Sequence, residues 1–101
     1  MAYHHLPFAA APWTSGADPL ERKKLGVAGT TLIEFGPGFA DPNWCERAHL
    51  AFVLSGTLRL EVDGRIEEIR AGDGFVTERG TRHRASNPGP TPVRLFVVTA
   101  E

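Results

Sequence analysis

Turn signals interrupt this chain about every six to twelve residues from Thr30 onward, and that spacing leaves no room for a long helix. Thr30–Phe35 (TTLIEF) is β-branched and aromatic and stops at Gly36-Pro37-Gly38. Ala48–Leu54 stops at Ser55-Gly56. Thr57–Val62 (TLRLEV) alternates, with Leu58, Leu60 and Val62 on one face. Asp63-Gly64 then joins it to the return run Arg65–Arg70, and an Asp-Gly pair between two such runs signals a tight hairpin. Phe75–Thr77, His83–Ser86 and Val93–Thr99 follow, separated by Gly80 and by Asn87-Pro88-Gly89-Pro90. Seven or more short strands make the expected class all-β, a sandwich or a barrel.

The first 29 residues read differently. Pro7, Pro12 and Pro19 alternate with Phe8 and Trp13, which argues for an extended arm. Leu20–Leu25 suits either a helical turn or a strand. We divide the chain into an N-terminal arm, residues 1–29, packing on the barrel or on a partner, and a barrel domain, residues 30–101.

The 101 residues are enough for one modest core. A formal net charge of −1 gives no bulk electrostatic case for nucleic acid or an anionic membrane. No apolar run reaches a membrane helix, roughly 18 residues. The stretch MAYHHLPFAAAPW lacks the basic start and unbroken apolar core of a signal peptide. One cysteine cannot form an internal disulfide, which is compatible with a reducing compartment; the expected location is cytoplasmic.

That cysteine opens the question of function. In WCERAHLAFVLSG, residues 44–56, Cys45, Arg47, His49, Ala51 and Val53 share a parity and hence one face of a regular strand. A thiolate and an imidazole at that spacing are metal-ligand material, and His83 is a third candidate. The opposing reading makes Cys45 a small buried hydrophobe and His49 a hydrogen-bonded core histidine. Arg47 would enter the same space, to lower the thiol pKa or hold a substrate carboxylate, or else stay in solvent. Glu46 has the wrong parity unless a bulge turns it inward. In a regular strand, Cys45 and His49 would be too far apart for a direct hydrogen bond.

The segment from Gly72 to Asn87 resembles the second cupin motif, G-x5-P-x-G-x2-H-x3-N. Gly72, Gly80, His83 and Asn87 are in register, and Glu78 stands in place of the proline. Residues 38–56 resemble the first motif, G-x5-H-x-H-x3,4-E-x6-G, in spacing and in the VLSG end. None of that motif's three ligands is kept. Asn43, Cys45 and His49 stand where it has two histidines and a glutamate, and Gly38 stands near its opening glycine.

The resemblance covers residues 30–99 and implies a double-stranded β-helix, the jelly-roll barrel, with one divalent metal in its mouth. On this chain the implied ligands are Cys45, His49 and His83, with Asn43 as a weak fourth or merely a turn residue after Asp41-Pro42. One thiolate and two imidazoles are a softer set than histidines with a carboxylate. They favour zinc, with iron or nickel less favoured, and leave a position open for water or substrate. The resemblance also implies a small-molecule ligand, a homodimer, and metal-dependent oxygenation or isomerisation of a small organic acid. Catalysis itself stays open. The alternative is a non-catalytic module that senses a small molecule without metal.

Overall fold

A computed structural model describes residues 2–100. Nine strands run in chain order: β1 (Thr14–Ser15), β2 (Glu21–Leu25), β3 (Thr30–Phe35), β4 (His49–Ser55), β5 (Thr57–Val62), β6 (Arg65–Arg70), β7 (Gly74–Thr77), β8 (His83–Ser86) and β9 (Val93–Thr99). Among the described residues there is no helix. The strands form two antiparallel sheets, one in the order β1-β2-β3-β9-β4-β7 and one in the order β6-β5-β8.

Alternation sets which residues meet between the sheets. Ala51 and Val53 of β4, Leu58 and Leu60 of β5, and Val93, Leu95 and Val97 of β9 point inward and are buried. Phe35 stacks on Phe39, with ring centroids 4.1 Å apart, and closes one end of this core. The inward row continues toward the other end with His49, Thr77 and Thr99, which are register partners across β7, β4 and β9. His83 faces Val62 in the small sheet. The core thus fills one end of the barrel, and polar side chains take over at the other.

Two turns explain why the chain reverses where it does. Asp63 and Gly64 both have positive φ, 52° and 74°, the geometry a two-residue hairpin demands. Gly56 has φ 77°, and a Cβ there would lie 2.6 Å from the Pro92 carbonyl oxygen, so only glycine fits between β4 and β5.

Within residues 1–29, β1 and β2 extend the large sheet through pairing with β3. The stretch before Thr14 lies against that same sheet. Phe8 meets Phe96 edge-on, Lys24 Nζ donates to the Phe8 carbonyl at 2.6 Å, and Trp13 sits over the cations of Arg22, Lys24 and Arg94. The segment 20–25, open between helix and strand on sequence, is a strand from Glu21.

Candidate metal centre

Cys45 belongs to no long strand. It forms an isolated antiparallel bridge with His83, each N–H donating to the other's carbonyl, at 2.8 and 2.9 Å. Regular pairing of β4 begins only at His49. Between the two, the backbone leaves extended geometry. The expectation that Cys45 and His49 stand too far apart for direct contact is therefore corrected: Cys45 Sγ lies 3.3 Å from His49 Nε2. His83 comes in from the small sheet, its ring 5.0 Å from that of His49 and nearly perpendicular to it.

One ligand atom from each of Cys45, His49 and His83 falls within 4.8 Å of the other two. Around a tetrahedral zinc with its usual bond lengths, such atoms are separated by roughly 3.3–3.6 Å. Cys45 Sγ and His49 Nε2 already stand at that separation, at 3.3 Å, so it is the His83 donor that has to approach, by about an ångström, for the three to share one ion.

The ring orientations suit that role. His83 Nδ1 lies 2.9 Å from the Thr81 carbonyl oxygen, which can only accept. Nδ1 therefore carries the proton, and Nε2 of the neutral ring keeps its lone pair. His49 Nδ1 lies 3.0 Å from the Thr99 hydroxyl. A proton on Nδ1, donated to Thr99, likewise leaves Nε2 facing the thiol. Metal-binding histidines are characteristically oriented through their other nitrogen in this way. Burial, the nearby His83 and the Arg47 guanidinium together hold the His49 pKa below its ordinary value, which keeps the imidazole neutral and able to bind a metal. Thr77, buried beneath it, accepts from His49 N–H and donates to the Arg47 carbonyl.

Other residues singled out from the sequence fall elsewhere. Asn43 is exposed, and its N–H is held by Asp41 Oδ1 in a turn. Arg47 is exposed and lines an outer cleft with Glu46, Arg79 and Thr99, not the barrel cavity. Glu46 stays outside the donor cluster and is exposed. Asn87 is buried and braces the loop after β8: its side-chain N–H groups donate to the carbonyls of Phe35 and Thr91, and its Oδ1 accepts from Gly89.

A cavity of about 150 Å³ opens beside the three donors. Its walls are mostly apolar, including Ile33, Leu58, Leu60, Phe75, Leu95 and Val97. Glu21 and Asp41 also reach it, and neither was singled out from the sequence. Glu21 sits on β2, a strand the sequence leaves ambiguous, and Asp41 looks like an ordinary turn residue before proline.

Two packed antiparallel sheets, with polar donors gathered at one end of the space between them, define a small jelly-roll barrel. The family model for the cupin domain matches residues 31–99, and the chain belongs to that family. Solved structures agree on the fold. KdgF from Halomonas sp. superposes with a TM-score of 0.80 at 18% identity, over 99% of this chain and 96% of that one. A sugar phosphate isomerase of the cupin superfamily from Silicibacter pomeroyi gives 0.78 at 19% identity, over 97% and 76%. A predicted oxalate decarboxylase from Thermotoga maritima gives 0.63 at 22% identity, over 69% and 63%. No curated protein matches the chain significantly by sequence.

Proposed function

We propose that this protein binds one divalent metal ion through Cys45, His49 and His83 and presents it to a small organic molecule in the adjoining cavity. The observation that carries this reading is the convergence of three donors from separate segments, with both imidazoles anchored through Nδ1. A thiolate with two neutral imidazoles suits zinc, with iron or nickel as less favoured occupants. When bound, the ion supplies Lewis acidity or an activated water. The chain's own contribution is orientation by Thr81 and Thr99 and exclusion of bulk water by the apolar walls. Oxygenation or isomerisation are the reactions to screen. We also place a homodimer on the outer face of the large sheet.

Elemental mass spectrometry of tag-free protein tests the site. The expected result is about one zinc or iron per chain, lost in the Cys45→Ser, His49→Ala double variant. No metal in either sample after reconstitution overturns it.

One observation favours a metal-free sensing pocket instead. The Cys45–His49 contact at 3.3 Å gives each group a partner without an ion. In that case the cavity ligand alone, and not metal, would protect the fold against heat.

A further inference from the structure

The cavity beside the three donors has a charge pattern that bears on what enters it. Of the eleven lysines and arginines in the chain, only Arg84 contributes to its wall. The Arg84 guanidinium is engaged elsewhere. It binds Glu61 through Nε at 3.1 Å and a second nitrogen at 3.4 Å, and it stacks on Trp44, 4.2 Å from the ring centroid. Lys23 shares the inward parity of Glu21 on β2, but its Nζ faces the Glu21 carboxylate at 3.8 Å. Asp41 adds a carboxylate to the wall. A dication held by the Cys45 thiolate would have much of its charge offset by that thiolate and by Asp41. An organic anion entering the cavity would find no arginine or lysine free to receive it; its one cationic partner would be an ion that the thiolate and Asp41 already largely offset, and a desolvated carboxylate so weakly paired is disfavoured. The remaining wall is aliphatic and aromatic, and about 150 Å³ of such space accommodates a benzene-sized molecule.

We infer that the ligand of this cavity is a neutral, largely apolar molecule of roughly benzene size, and that small carboxylic acids are discriminated against. The inference rests on the reading above in taking the cavity beside Cys45, His49 and His83 as the ligand site. It departs from the organic-acid expectation implied by the family resemblance. The specificity lies in the walls: Ile33, Leu60, Phe75 and Leu95 contact the ligand, and no arginine or lysine is free to pair with a carboxylate.

The test uses the full chain, loaded with zinc and checked for about one ion per chain. Methyl resonances of Ile33, Leu60 and Val97 are followed by NMR during titration with benzene, with nitrobenzene and with benzoate. The last two have nearly the same shape and differ in charge. Benzene and nitrobenzene are expected to shift these resonances saturably, with nitrobenzene binding at least tenfold more tightly than benzoate. Ala85→Leu, which fills the cavity from β8, is expected to weaken benzene binding at least tenfold while keeping its zinc. If that variant does not fold, Leu60→Phe reads the same property from β5. Benzoate binding as tightly as nitrobenzene, or no response to benzene in zinc-loaded protein, overturns the inference. Zinc content is measured separately. Protein that takes up no zinc but still binds benzene in preference to benzoate would remove the metal reading and leave this one standing.

Discussion

Cys45 reaches His49 because the chain between them is not a strand. Parity placed both side chains on one face, and so identified the right pair of residues. The contact distance depends on the bridge from Cys45 to His83, a residue 38 positions along the chain from it. Asn87 has one role that local sequence suggests and one that it does not: it binds Gly89 and Thr91 in the loop that it opens, and it ties that loop to the Phe35 carbonyl on β3. Each buried polar group left unpaired costs about 1–3 kcal/mol. Asn87→Ala should therefore lower stability by about 2–4 kcal/mol in urea unfolding, with zinc content of the folded fraction unchanged. A loss below about 0.5 kcal/mol would show that the loop holds itself. The parity of Arg47 matches that of Cys45 and His49, but parity has meaning only where the backbone is extended, and residues 46–48 are not paired as strand.

At the scale of elements, the hairpins separate into those with standard turn chemistry and one without it. Asp63-Gly64 is readable from sequence because aspartate and glycine tolerate positive φ. The β2–β3 turn is not, because Ala28 occupies a position with φ 56° ahead of Gly29 at 76°. A β-carbon in that region costs about 1–2 kcal/mol. Ala28→Gly or Ala28→Asn should raise the stability by about 0.5–1 kcal/mol, measured by thermal or urea unfolding. The strands this turn joins are also cross-linked by charge. Glu34 on β3 accepts from Arg22 of β2 and from Arg94 of β9, its register neighbours on either side. The Arg22 hydrogen bond, opposed by burial and aided by Arg94, holds the Glu34 carboxyl below the usual carboxylate range. The unfolded chain therefore takes up the proton first. The stabilisation is complete above the unfolded value, about 4.3, and is lost as pH falls through the lower folded value. Glu34→Gln should cost less than about 1 kcal/mol at neutral pH, since both arginines are well exposed. It should also flatten the fall in stability below about pH 4.3, and an unchanged acid profile would assign that fall to other carboxylates.

For the whole molecule, the large sheet has one face in the core and one outside. The arm covers part of the outer face at Phe96, but Leu50, Phe52, Leu54 and Val76 stay between 44 and 69% exposed. Exposed apolar side chains on one sheet face are what a subunit interface would cover. The homodimer proposed above would bury them, and sedimentation velocity should then show a dimer that Phe52→Glu converts to monomer. A wild-type chain that sediments as a monomer at high concentration would sink that assembly.

Much of the barrel was legible because its strands obey the period of two and its turns carry glycine, proline or aspartate. Strands from Thr30 to Thr99 fall where alternation and turn residues place them, within a residue or two. The motif spacing singled out Cys45, His49 and His83 as candidates, and the structure brings the three together. What local pattern cannot encode is which strands become neighbours, because pairing is settled by burial across the whole chain. The addition of β1 and β2 to the large sheet, the closure of Cys45 on His83, the hydroxyl and carbonyl that orient the two imidazoles, and the approach of Glu21 and Asp41 to the cavity all depend on that. The sequence by itself determined an all-β barrel and picked out a cysteine and two histidines as candidate metal ligands. Only the tertiary structure decided that these three meet beside an apolar cavity with no arginine or lysine free to receive an anion.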